Sequence, residues 1–173
     1  SMGYDLPAAI GACIATGKPV VCIAGDGSIQ MNLQELQTIV HHQLPIKIFV
    51  LNNRGYHSIR QTQSNFFDRL VGCDSWRFVN CPDMRRIANA YRIPHDSCSK
   101  HCDLVRQIAT TLTRPGPVIC EIMLTTDQPF APKVSSRRLD DGRMVSGTLE
   151  DMAPFLDRDE FLGNMIVKPV EDG

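Results

Sequence analysis

Three short stretches of this chain are continuously apolar and rich in β-formers: "PVVCIA", "IKIFVLNN" and "GPVICEIML". Unbroken runs of this length are the mark of strands buried on both faces, since a half-exposed strand would alternate. Helical spacing fills the intervals. Residues 6–16 ("LPAAIGACIAT") predict a helix of small side chains, with Pro7 in its first turn and Gly17 at its end. Asn32 and Glu35 stand in capping-box spacing before Leu33, Leu36, Ile39 and Val40, which predicts a helix starting near residue 32. "YHSIRQTQ" predicts a short helix, "CPDMRRIANAY" a helix with Arg85 and Arg86 on one face, and "CDLVRQIATTLT" a helix capped by Asp103. "YRIPH" reads as a short strand or connector, and "SNFFDRLVGCDSW" as an irregular surface segment.

Strands that alternate with helices predict an α/β fold, a parallel sheet flanked by helices on both faces. The character changes after about residue 125. Residues 1–125 read as one domain and 126–173 as a C-terminal arm packing on the domain or a neighbour. In that arm Asp141-Gly142 is a candidate hairpin turn, and "LEDMAPFLDRDEFLGNMI" has helical spacing of Leu, Met and Phe. Helical patterning begins almost at the first residue with no leading strand, so the domain is expected to start upstream of Ser1.

Composition narrows the function. A chain of 173 residues can bury a real core, and a net charge of −1 gives no argument for nucleic acid as a partner. No run is long enough to span a bilayer, so no membrane role is expected. Seven scattered cysteines without CxxC spacing form no disulfide framework and suit a reducing cytoplasm. His95, Cys98, His101 and Cys102 are a possible zinc cluster, but their spacing matches no familiar ligand pattern; a Cys-rich loop and helix start is the plainer reading.

The candidate chemistry lies at the ends of two apolar runs. Asp26 sits between glycines after "PVVCIA", and Asn52-Asn53 close "IKIFVLNN". In an open parallel sheet ligands bind at the carboxyl ends of strands, so neighbouring strands would bring these side chains to one edge. One carboxylate, one amide oxygen and a backbone carbonyl form a hard, incomplete oxygen set. Such a set suits Mg²⁺, which takes its remaining ligands from water and substrate phosphate. Gly25 and Gly27 permit a tight turn beside an anion. The loop lacks the lysine of a P-loop and the third glycine of a dinucleotide fingerprint. Spacing alone leaves Asn52 and Asn53 as alternatives.

Taken together, "GDGS…NN", the lead-in "MGYDLPAAIGA" and the strand "GPVICEI" resemble the diphosphate-binding domain of thiamine-diphosphate enzymes of the acetolactate-synthase-like family. The resemblance implies that Asp26 and Asn53 are side-chain ligands of Mg²⁺, with the Gly55 carbonyl as a third oxygen, and that Gly27 and Ser28 contact the diphosphate of thiamine diphosphate. Met2 aligns with the apolar residue that bends thiamine, and Tyr56 and His57 lie beside the cofactor. His57 is a candidate general acid or base, with a local turn residue as the plainer reading.

No catalytic side chain is assigned to this chain. The family's glutamate is expected on a pyrimidine-binding domain of the same or a partner subunit, which makes a homo-oligomer the expected assembly. Glu35 and Glu121 are no substitutes for it. The implied activity is decarboxylation of a small 2-oxoacid followed by carboligation, with this chain alone inactive. FAD is possible in the full enzyme but not on this chain. Alternatives are a plain 2-oxoacid decarboxylase, or a non-catalytic module that keeps the fold.

Overall fold

A computed structural model describes residues 1–67, 69–73, 79–138 and 142–169. The chain divides into two compact units, residues 1–128 and residues 129–173. The first unit is a four-stranded parallel sheet with helices on both faces. Its strands are β1 (Val20–Gly25), β2 (Ile46–Asn52), β3 (His95–Cys98) and β4 (Val118–Met123), in the order β1-β2-β4-β3. Its helices are α1 (Asp5–Thr16), α2 (Asp26–Ile29), α3 (Glu35–His41), α4 (His57–Phe66), α5 (Met84–Ala90) and α6 (His101–Thr113).

Alternation along the strands sorts the sheet into two faces. One carries Cys22 and Ala24 of β1, Ile48 and Val50 of β2 and Ile119 of β4, all buried. Leu6 and Ile10 of α1, Leu36 and Ile39 of α3, and Met84 and Ala88 of α5 complete that core. The other face carries Lys47, Phe49, Val118 and Cys120, with Thr111 of α6 buried nearby. Lys47 is buried there with its Nζ donating to the carbonyls of Arg114 and Gly116, so its charge is met by the turn that leads into β4.

The outer part of this second face is bare. Val21 and Ile23 of β1 are 51% and 65% exposed, against the expectation that this run is buried on both faces. The reason is position: β1 is an edge strand of the described sheet, and α6 covers only the β3–β4 side. β2 meets the expectation, with its first five residues buried.

Local chemistry explains the helix ends. Pro7 stands in the first turn of α1, where its missing N–H costs nothing, and Gly17 closes that helix at φ +65°. Asp83 caps α5 by accepting from the Arg86 N–H at 3.1 Å.

Other expected ends are displaced. The chain turns helical at once after β1, through α2 and the 3₁₀ turn Gln30–Asn32, and α3 begins only at Glu35 with Gln34 before it. Asn32 does not cap. Its Nδ2 donates to the Gly3 carbonyl at 2.6 Å and its Oδ1 accepts from Gln34, so it ties down the N-terminal lead-in instead. Asp103 lies inside the first turn of α6, paired with Arg106 at 2.6 Å, and Lys100 takes the cap position. Of "YRIPH", read as a short strand or connector, residues 91–94 are the connector and β3 runs His95–Cys98, with the Pro94 carbonyl already accepting from the Ile119 N–H of β4 at 2.9 Å.

In the second unit β5 (Ser136–Arg138) pairs antiparallel with β6 (Met144–Ser146). The expected turn at Asp141-Gly142 falls partly outside the described residues, since Asp141 is not among them. Helical spacing over 149–166 yields only α7 (Arg158–Asn164), capped by Asp157, which accepts from the Asp159 N–H at 2.9 Å. Arg158 pairs with Asp151 at 2.7 Å and lies over the Phe161 ring at 4.9 Å.

Candidate functional site

Parallel pairing in register, with Gly25 opposite Leu51, sets the carboxyl ends of β1 and β2 side by side. Asp26 leaves the first tip and the Asn52–Gly55 turn leaves the second. The turn is unusual: Arg54 has φ +62° and Gly55 φ +134°, conformations that favour glycine. Side chains hold it there. Asn52 Oδ1 accepts from the Arg54 N–H at 3.0 Å. Arg60 of α4, 9% exposed, donates to the carbonyls of Asn53 and Arg54 at 3.2–3.4 Å and to Thr126 at 3.3 Å.

Within this turn the expected residues converge. Asp26 is 2% exposed and its Oδ2 accepts from the Gly55 N–H at 2.8 Å, which leaves Oδ1 for other work. One terminal atom of the Asn53 amide lies 3.3 Å from Asp26 Oδ1 and 2.8 Å from the Gly55 carbonyl oxygen. With nitrogen in that place, Asn53 donates to both. With oxygen there, three oxygens face one another, an arrangement that a shared cation, or a proton on Asp26, relieves. Burial raises the Asp26 carboxyl above the ordinary carboxylate range, and backbone donors including the Gly55 N–H partly oppose this.

Gly27 and Tyr56 meet at close range. A Cβ on Gly27 would fall 2.5 Å from the Tyr56 ring, so glycine is required there by the ring. Ser28 Oγ donates to Asp5 Oδ2 at 2.6 Å and accepts from the Gly3 N–H at 2.9 Å, which ties the lead-in to the strand tip. Met2 is half exposed and lines, with Ile23, Gly25 and Ser28, a shallow groove of about 460 Å³ beside that tip. His57 is buried at the start of α4.

The His95, Cys98, His101 and Cys102 cluster does not assemble. Among the described residues no three His, Cys, Asp or Glu side chains gather as a metal site. His95 faces Glu121 at 3.4 Å, and the Cys98 thiol donates to the Lys100 carbonyl. Burial, then the Asp26 charge, pushes the Cys81 thiol up, so it stays protonated and is a poor nucleophile beside the turn. Sequence reasoning missed Arg60. Its place one helical turn after Tyr56 put it under the turn it holds, but nothing in the pattern marked its targets as backbone carbonyls.

Residues 1–122 match the family described as "Thiamine pyrophosphate enzyme, C-terminal TPP binding domain". The chain belongs to this family. Within it, this thiamine-pyrophosphate domain is 38% identical over 136 residues to the acetolactate synthase large subunit of Cyanidium caldarium, covering 78% of this chain and 23% of that protein. It is 30% identical to the acetolactate synthase isozyme 1 large subunit of Escherichia coli, over 78% of this chain and 24% of that protein. Among solved structures it resembles the Rhodococcus jostii RHA1 thiamine diphosphate-dependent 4-hydroxybenzoylformate decarboxylase. The TM-score is 0.65 at 25% identity, over 74% of this chain and 24% of that one. The chain thus spans about a quarter of the length of these relatives. It is a thiamine-diphosphate-binding domain of acetolactate-synthase-like type. No helix among the described residues is long and apolar enough to cross a membrane.

Proposed function

We propose that this domain serves an acetolactate-synthase-like enzyme by holding Mg²⁺ and the diphosphate end of thiamine diphosphate. The observation that carries the reading is the trio of Asp26 Oδ1, the Asn53 amide and the Gly55 carbonyl, at separations of 3.3 and 2.8 Å. Mg²⁺ holds oxygens octahedrally at 2.0–2.1 Å, so neighbouring ligands lie about 2.9 Å apart. The two separations bracket that value, and the donor set is all oxygen and incomplete, as a phosphate-sharing Mg²⁺ requires. Asn53, not Asn52, is the amide in this trio; Asn52 turns away to Arg54 and Glu121.

Bound thiamine diphosphate supplies the carbanion-stabilising chemistry of such enzymes. This chain's residues bind and orient. Asp26, Asn53 and the Gly55 carbonyl neutralise diphosphate charge through the cation, in a loop without the lysine of a P-loop. Gly27 and Ser28 would contact the diphosphate, and the Tyr56 ring occupies the space a Gly27 Cβ would need. Met2 and the groove beside Gly25 would receive the thiazolium ring, and His57, buried at the start of α4, is a candidate acid or base.

The complete enzyme decarboxylates a small 2-oxoacid and joins the product to an acceptor carbonyl. A pyrimidine-binding domain of the same or a partner subunit completes the site, in a homo-oligomer, and any FAD sits off this chain. The setting is a reducing compartment such as the cytoplasm, which suits the seven free thiols. Residues 126–173 serve as an arm on the domain or a neighbour. The decarboxylase name of the solved relative favours a second reading, in which a proton takes the place of the acceptor carbonyl.

Calorimetric titration of the complete enzyme, with its pyrimidine-binding domain present, tests the binding claim. Saturable heat is expected only when Mg²⁺ and thiamine diphosphate are both present, and none for Asp26→Ala. Equal heat for Asp26→Ala, or none for the wild type at millimolar ligand, would favour a non-catalytic module.

A further inference from the structure

β4 is apolar along its length except for one residue. Glu121 stands on its core-facing side, in register with Val50 of β2 and Ser97 of β3, where an unpaired carboxylate would be costly. Its side chain is 14% exposed. One of its oxygens is hydrogen-bonded, Oε1 accepting from Asn52 Nδ2 at 2.6 Å; Oε2 lies 3.4 Å from Nε2 of His95, 5% exposed, without making a hydrogen bond to it.

The bond to Asn52 has a consequence two residues on. An asparagine amide can point either way, and here only one orientation satisfies both of its ends. A carboxylate accepts and cannot donate, so Glu121 obliges Asn52 to present Nδ2 to it. That leaves Oδ1 aimed at the Arg54 N–H, the bond that holds Arg54 at φ +62° and so swings Asn53 and Gly55 toward Asp26. The Asn52 carbonyl is fixed from the same side by the Leu124 N–H at 2.8 Å.

We propose that Glu121 is a positioning residue for the Asn52–Gly55 turn, acting through the Asn52 amide. The inference deepens the metal-site reading and rests on it for its use in function, but the turn's geometry can be tested without metal. The pair β4–β2 then carries one run of hydrogen-bonded polar side chains from Glu121 to the turn that bears the oxygen trio. Glu121 touches neither cofactor nor metal in this account.

Hydrogen exchange of the metal-free full chain, read in peptides covering residues 52–56, tests this directly. Glu121→Leu removes the acceptor at similar size and is expected to speed exchange at Arg54 and Gly55 by roughly fivefold to tenfold, the worth of one hydrogen bond. Glu121→Gln keeps an acceptor and is expected to stay within about twofold of wild type, since the amide oxygen can still receive Asn52. Asn52→Ala should mimic Glu121→Leu, and the double variant should exchange no faster than Asn52→Ala alone. Unchanged exchange in Glu121→Leu, additive effects in the double variant, or equal loss in Glu121→Gln would each overturn the proposal. A wild type that binds no Mn²⁺ with thiamine diphosphate, yet shows this exchange pattern, would sink the metal reading and uphold the positioning.

Discussion

Gly55 donates its backbone N–H to Asp26 Oδ2 at 2.8 Å, and so decides which oxygen of that carboxylate is left for the Asn53 amide. The bond joins the tips of two neighbouring strands, with a backbone donor and a side-chain acceptor. Any residue but proline at position 55 could donate it, but φ +134° restricts the position to glycine.

Asp26 sets function against stability. Its carboxyl is raised by burial, so the folded chain binds a proton more readily than the unfolded one. Stability of the metal-free chain therefore falls as pH rises from the ordinary carboxylate value through the raised one, and the cost persists above it. Asp26→Asn removes the buried charge and keeps an acceptor for Gly55. The metal-free variant is expected to melt a few degrees higher at neutral pH, where about 1 kcal/mol moves the midpoint by 2–4 °C, while losing metal-dependent cofactor binding. Differential scanning calorimetry with and without Mg²⁺ and thiamine diphosphate checks both halves; a lower melting point in metal-free Asp26→Asn would contradict the first.

Gly27→Ala drives a methyl into the Tyr56 ring, 2.5 Å from its nearest carbon. Forcing such a contact costs roughly 1–3 kcal/mol. Chemical denaturation should show that loss in Gly27→Ala, and should show much less of it when Tyr56→Ala removes the ring. Equal losses in both backgrounds would mean that the ring is not what demands glycine.

How far the sequence foretold this arrangement varies by element. The β1 and β2 runs were legible because unbroken apolar strands have few other uses, and their adjacency made Asp26 and Asn53 neighbours. Asn32 misled because capping-box spacing is a local signal, and a tertiary partner, the Gly3 carbonyl, claimed its amide instead. "HDSC" hid a strand in polar letters, since β3 lies at the sheet edge and owes its form to pairing with β4. The work of Arg60 and Glu121 was not legible at all. Each acts on backbone or amide groups brought near only by the fold.

Arg60 supports the turn from α4. Replacing it with Met removes donors from the carbonyls of Asn53 and Arg54 while keeping bulk, and is expected to cost about 1–3 kcal/mol in urea denaturation. Arg60→Lys should recover only part, because one ammonium cannot span the carbonyls that the planar fork reaches. A loss within 0.5 kcal/mol in Arg60→Met would remove Arg60 from the account.

Val21 and Ile23 mark the bare side of β1. Because both are at least half exposed, Ile23→Lys should change stability by no more than about 0.5 kcal/mol. It should also reduce concentration-dependent association of the full chain in sedimentation velocity. A large destabilisation would show that this face is covered within the chain itself.

Crystals of the full chain grown with Mn²⁺ and thiamine diphosphate, examined by anomalous scattering, address the oxygen trio head-on. The account predicts one anomalous peak about 2.1–2.2 Å from Asp26 Oδ1, Asn53 Oδ1 and the Gly55 carbonyl oxygen, with Asn53 turned oxygen-inward. A peak bound to other residues, or Asn53 still donating its NH₂ to Asp26 at saturating metal, would contradict it.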